Sequence, residues 1–325
     1  MIKRLRILFS SYFLNHPLYL KVLNFLDKSK PLGFKGNSLK SVGEFFINAM
    51  RSEDIHLRAS SLAYSFFLSI FPLLLFLLTL IAYVPVDDLK NEVITSLELV
   101  LPKTTFKAIN TTVKDILKNQ RGGLLSIGLF AAIYFSSNGM LTLINALNRG
   151  ASAIKKKNVF QKRGLAIALT LGLIVLLIST ATLLVYLDLT ESLLLKQKYV
   201  PNLLINISFL LLQILILMSM LFLSISSIYF FGTRNSQTFR FISPGSIVAT
   251  FLIIITTFIM QYYLNNILSY NKIYGSIGAI IALLIVLYFN SNCILIGHEL
   301  NKSIDKAIDA KIQSRPFVLK NIEKK

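Results

Sequence analysis

The chain has 325 residues, of which 54% are hydrophobic and 15% charged, and its formal charge is +19. A soluble domain of this size carries roughly a quarter charged residues, so the composition excludes an ordinary water-soluble globule and sends the basic excess to a membrane surface or a nucleic acid. A single cysteine, Cys293, excludes an intramolecular disulfide framework and a cysteine-based metal cluster.

The first 26 residues place Leu5, Leu8, Phe9, Tyr12 and Phe13 on one helical face, with Lys3, Arg4 and Arg6 nearby. That pattern predicts an amphipathic helix lying on an anionic membrane surface. Residues 41–56 (SVGEFFINAMRSEDIH) predict a second short helix leading into the first span.

A membrane span needs about 20 mostly apolar residues, because the hydrocarbon core is about 30 Å thick and a helix rises about 1.5 Å per residue. Six stretches qualify: 61–84, 124–147, 165–187, 203–231, 245–268 and 274–297, none containing Asp, Glu, Lys or Arg. Pro72 removes a backbone hydrogen bond and predicts a kink in the first span, where Tyr64, Ser65 and Ser69 could serve the freed carbonyls. Between the first two spans, residues 85–123 repeat apolar residues at helical spacing (Leu89, Val93, Leu97 and Val100; Ile109, Val113, Ile116 and Leu117), with Pro102 as a break. They predict two amphipathic helices forming a small outer cap. Gly275 and Gly278 give the last span small-residue spacing for close helix packing.

The loops and ends that alternate on one side of these spans hold 25 Lys/Arg, against nine on the other. Lys/Arg excess marks the cytoplasmic face, so both termini are expected in the cytoplasm. This explains most of the positive charge without nucleic acid. The loop carrying Lys155, Lys156 and Lys157 is expected to meet anionic lipid head groups. The fold class is therefore all-α: a polytopic membrane protein of six transmembrane helices with amphipathic interfacial helices and a small helical outer cap. Its organisation is an interfacial N-terminal region over 1–59, a membrane domain over 60–298 and a basic tail over 299–325.

Catalytic residue types are scarce. His16, His56 and His298 lie in separate segments without metal-ligand spacing, and phosphate-binding glycine motifs are missing. The expectation is a non-enzymatic protein with no metal and no cofactor. Uncharged polar residues inside the spans say more, since an amide in hydrocarbon costs several kcal/mol without a partner. They either bond one another between helices or line a cavity. Asn138, Gln213, Gln261, Asn290 and Asn292 are the candidate cavity-lining amides, joined by Glu299, two residues past the end of the last span. Glu299 could be a coupling-ion site, or could pair with Arg149, Arg163 or Lys302 at the interface.

The stretches SLAYSFFLSIFPLLLFLLTLIA, YFSSNGMLTLINALNR and YGSIGAIIALLIVLYFNSNCILIGHELN resemble the YihY/BrkB family of bacterial inner-membrane proteins, over roughly 45–304. The resemblance implies a six-helix plasma-membrane protein. Members have carried the labels ribonuclease BN, a tRNA-processing enzyme, and serum-resistance virulence factor. Where members end the last span with Gly-Ala-Glu-Leu-Asn, this chain has Gly297-His298-Glu299-Leu300-Asn301, so the resemblance lends His298 no catalytic role. Taken together, the leading expectation is a permease or exporter for an unidentified small solute. The alternative is an envelope-organising protein that binds lipid head groups or a protein partner, and a nuclease ranks last.

Overall fold

In a computed structural model, the structure describes residues 17–31, 33–51, 54–83, 90–95, 103–149, 158–197, 202–233, 241–266 and 276–322. The helices are α1 (Pro17–Lys28), α2 (Leu39–Met50), α3 (Asp54–Ala82), α4 (Lys103–Lys118), α5 (Gly122–Leu147), α6 (Val159–Gln197), α7 (Asn202–Gly232), α8 (Pro244–Asn266) and α9 (Ser276–Ile322). Residues 90–95 are also helical, and no strand occurs among the described residues. Six of these helices, α3 and α5 through α9, are long and apolar enough to cross a membrane.

The boundaries differ from the sequence expectation in two places that matter. The first span helix starts at Asp54, so it takes in Arg58, and the predicted helix over 41–56 becomes α2 plus the first turn of α3. The last helix runs on past Gly297 to Ile322 as one 47-residue element. Hydropathy marks where a helix leaves apolar surroundings, whereas neither glycine nor proline interrupts the sequence between Gly297 and Pro316, so the helix itself continues. The outer cap appears as residues 90–95 and α4, whose Phe106, Val113, Ile116 and Leu117 are buried, with α4 packed on α3. The amphipathic segment before Pro17 lies outside the described residues.

Local chemistry explains the helix starts. Ser38 caps α2, its hydroxyl accepting from the Ser41 N–H at 3.3 Å. At α8, Pro244 takes the first helical position, where a missing N–H costs nothing. Ser243 and Ser246 close the cap there, with Ser246 N–H donating to Ser243 Oγ at 3.1 Å. Between α1 and α2 the chain turns at Gly33 (φ 95°), whose missing side chain lets the backbone approach the Pro244 ring; a Cβ there would come 2.6 Å from its Cγ.

The helices alternate in direction, so the start of α3, the end of α5, the starts of α6 and α8, the end of α7 and the later part of α9 share one end of the bundle. We call it the terminal end. The core concentrates there: Ile55, Ala59 and Leu62 of α3 meet Leu143, Ile144 and Leu147 of α5, Ile228 and Tyr229 of α7, Ala249 of α8 and Leu295 of α9. Beyond the bundle, Ile304 and Ala307 of α9 bury against Phe34 and Val42, which seats α2 on the extended last helix. Elsewhere α6 and α7 expose rows of large apolar side chains, including Val175, Leu177, Leu211 and Leu215. In lipid such faces are unremarkable, and helix association then rests on close packing and interhelical hydrogen bonds. Ser69 Oγ lies 2.8 Å from Phe135 O and so ties α3 to α5, one turn before Pro72, through which α3 stays helical.

Candidate functional site

The terminal end contains a cleft of about 510 Å³ lined by Phe45, Asn48, Asp54, Arg58, Arg149, Glu299, Lys302 and Lys306, together with Ala49. It lies between α2, the first turns of α3, the residue after α5 and the later part of α9. Four basic and two acidic side chains therefore share one concavity.

Arg58 organises it. The phase of α3 puts Ile55, Arg58, Ala59 and Leu62 on the buried face, so the guanidinium is carried inward by its apolar neighbours. Its Nη2 donates to Glu299 Oε1 at 2.9 Å, and the two side chains are 6% and 4% exposed. Its Nη1 donates to Ala146 O at 3.0 Å, serving a carbonyl at the end of α5. Its Nε stands 3.5 Å from Asp54 Oδ2, and Asp54 Oδ1 in turn holds Arg149 Nη1 at 3.0 Å. On the other flank, Lys302 Nζ is 3.7 Å from Glu299 Oε1 and donates to Arg149 O at 3.1 Å. The result is a chain of alternating charge, Arg149–Asp54–Arg58–Glu299–Lys302, running across α3, α5 and α9.

A second hydrogen-bonded layer fixes α9 beside the cleft. Between His298 Nε2 and Leu147 O there is a hydrogen bond of 2.8 Å, and the His298 ring lies 5.7 Å from that of Tyr229. Tyr229 donates its hydroxyl to Ile294 O. Asn301 accepts from Gly245 N–H at 2.7 Å and donates to Ser243 Oγ at 2.9 Å, so α9 also completes the start of α8. A small residue at position 298 could reach neither Leu147 O nor the Tyr229 ring.

Of the six candidate cavity-lining residues, the structure places Glu299 in the cleft and the others elsewhere. Asn138 is exposed on α5, its Oδ1 3.4 Å from Arg163 Nη1. Gln213 donates to Asp188 Oδ1 at 2.8 Å, joining α7 to α6. Gln261 lies exposed on α8. Asn292 is buried and donates to Tyr288 O at 2.9 Å, and the Asn290 Oδ1 is buried without a partner among the described residues. The amides thus spread over four helices, α5, α7, α8 and α9, instead of converging. Asn292 does share a helix face with Glu299, seven residues and about 10 Å deeper along α9. Lys155, Lys156 and Lys157 fall outside the described residues. Glu299 pairs with Arg58 and, at longer range, with Lys302; the Arg149 side chain is linked to it through Asp54 and Arg58, and Arg163 turns to Asn138 and stacks 4.7 Å over the Tyr134 ring.

Arg58 is the residue that sequence reading missed. A charge at the start of an apolar run is left out of a hydropathy window, and its partner is 241 residues away. The signal was in the helix phase: Ile55, Arg58, Ala59 and Leu62 stand at i, i+3, i+4 and i+7, the spacing of one buried face. The described histidines do not meet: His56 Nδ1 lies 3.1 Å from Tyr288 Oη, and His298 is at the end of α5.

Comparison with known proteins fits this architecture. The sequence profile described as "Virulence factor BrkB" matches residues 46–318, which contain every side chain of the charged chain and all six long apolar helices. Among curated proteins, the chain is 28% identical over 249 residues to "Putative ribonuclease-like protein YfkH" of Bacillus subtilis (strain 168), covering 77% of this chain and 90% of that one. No solved structure gives a significant match. This six-helix multi-pass membrane protein belongs to the BrkB virulence factor family.

Proposed function

We propose that the chain is a non-enzymatic permease of the bacterial cytoplasmic membrane, with both ends of the chain in the cytoplasm and the charged cleft as the mouth for an anionic solute. The observation that carries this is the buried Arg58–Glu299 pair inside a cleft of about 510 Å³. As a staple such a pair is a poor choice, because desolvating both charges offsets most of their attraction and apolar residues of similar size hold helices as well. Ionisable groups at a membrane-domain helix face are retained where they handle a charged cargo or a coupling ion. Here Glu299 neutralises Arg58 until an anion competes for the guanidinium. Asn292, on the same face of α9, offers the next polar group inward.

The relative's printed name raises a nuclease instead. His56 and His298 bond to Tyr288 and Leu147, which supports a structural role for both rings. An unbiased uptake and efflux comparison between a deletion strain and its complemented parent tests the permease reading. Complementation by the native chain is expected to restore the flux of an anionic solute. Glu299→Gln is expected to lose it, and Lys306→Gln, at an exposed position on the cleft, to reduce it severalfold. Identical fluxes in deletion and parent, or RNA cleavage by the purified protein, would overturn the proposal.

A further inference from the structure

We infer that the cleft binds a phosphate-bearing anion, gripped by Arg149, Lys302 and Lys306 with the Arg58 guanidinium behind them; this rests on the cleft being the solute's mouth. Lys/Arg enrichment on the cytoplasmic side accounts for how many basic residues lie at this end. It does not account for four of them lining one concavity, nor for one of the four being 94% buried, since interfacial lysines and arginines need only reach water.

Charge and donor count select the ligand. Arg58, Arg149, Lys302 and Lys306 against Asp54 and Glu299 leave an excess of two positive charges, the complement of a phosphate monoester dianion. The pairs already formed do not use up the donors. Arg58 commits Nη1 to Ala146 O and Nη2 to Glu299, so each terminal nitrogen keeps a second N–H. The Arg149 side chain is 60% exposed and meets Asp54 through Nη1, so that contact does not use its second terminal nitrogen. Lys306 follows Glu299 by seven residues on the same helix face and adds an ammonium at the rim. Donors therefore arrive from α3, from the residue after α5 and from two turns of α9. A tetrahedral anion with several acceptor oxygens can use that spread, whereas a planar carboxylate can use one fork. Phosphate oxygens are presented by a soluble phosphate monoester and, as a diester with one negative charge, by the head group of phosphatidylglycerol.

The test uses the full chain in nanodiscs, reading thermal unfolding at constant ionic strength, because a ligand at free concentration c that binds only the folded state stabilises it by RT ln(1 + c/Kd), so the midpoint climbs once its concentration exceeds Kd. In phosphatidylcholine discs, glycerol 1-phosphate and inorganic phosphate are expected to raise the midpoint progressively with the logarithm of their concentration, while acetate does not. Lys302→Gln/Lys306→Gln is expected to weaken the apparent affinity at least tenfold, and Lys306→Gln alone covers the case in which the double variant does not fold. If the soluble probes act equally in phosphatidylglycerol discs, the ligand is a free phosphate ester. If phosphatidylglycerol itself raises the midpoint and abolishes their effect, the ligand is a lipid head group. The inference is overturned if neither the probes nor phosphatidylglycerol stabilise the protein, if acetate matches phosphate, or if both lysine variants bind like the native chain. Flux lost with binding intact would defeat the permease reading alone. Binding absent with flux intact would defeat only the phosphate assignment.

Discussion

At the scale of single residues, the Arg58–Glu299 pair is where stability and the proposed function meet. Removing one member leaves the other charged and buried, which typically costs about 3–5 kcal/mol, while replacing both with apolar residues of similar size costs far less. Arg58→Met and Glu299→Met are each expected to lower the unfolding midpoint of the detergent-solubilised protein sharply, and the double variant to recover most of the loss. Additive losses would mean that the two charges do not depend on each other, against the 2.9 Å contact. Glu299 could be picked out in the sequence because acids near a span end are rare and conspicuous. Of its expected partners Lys302 does form an ion pair, at 3.7 Å, but the closer one, Arg58 at 2.9 Å, could not be found by proximity in sequence.

At the scale of elements, the α8–α9 crossing shows a similar limit. The sequence expectation put close packing at Gly275 and Gly278, an arrangement within one helix; Gly275 lies outside the described residues. The structure puts the tightest approach at Gly245 and Gly297, single glycines on two helices that no motif links. A Cβ on Gly297 would collide with the Gly245 carbonyl and come 2.7 Å from the Ala249 Cβ and 2.8 Å from the Tyr229 hydroxyl; one on Gly245 would meet Asn301 Cγ at 2.6 Å. Because backbone lies in the way, no rotamer change relieves the clash, and the helices must separate and give up the Asn301 bonds to the start of α8. Overpacking of this kind costs about 1–3 kcal/mol or more. Gly297→Ala and Gly245→Ala are expected to reduce the yield of folded, monodisperse protein on size-exclusion chromatography. Gly172→Ala on α6, with nothing within 4 Å of its would-be Cβ, is expected to elute like the native chain. Equal behaviour of all three would show that α8 and α9 are not held at this distance. The spans themselves were legible because length and apolarity are local properties; the crossings were not, because they depend on which residues of distant segments coincide.

At the scale of the whole molecule, the orientation in the membrane decides what the cleft can see. The six long apolar helices alternate, which puts the start of α3 and the later part of α9 on the same side, the side of the ion-pair chain. The flanking segments on that side contain 25 of the 34 Lys/Arg, and the segment holding α4 lies on the other. Basic residues resist translocation when they lie in short segments close to the spans, so the richer side is expected in the cytoplasm. A fluorescent-protein fusion at the C-terminus is therefore expected to glow, and an alkaline phosphatase fusion there to be inactive, because the phosphatase needs the oxidising periplasm to form its disulfides. A phosphatase fused within 84–102, between α3 and α4, is expected to give the reverse. The opposite pair of results would turn the cleft outward, to a side where phosphate esters made inside the cell do not reach it, and would remove the physical basis for a cytoplasmic anion mouth. With the expected orientation, the basic excess does two separable jobs. Most of it sets the topology through loops and tails, and four residues, Arg58, Arg149, Lys302 and Lys306, are drawn by the packing of α3, α5 and α9 into one site.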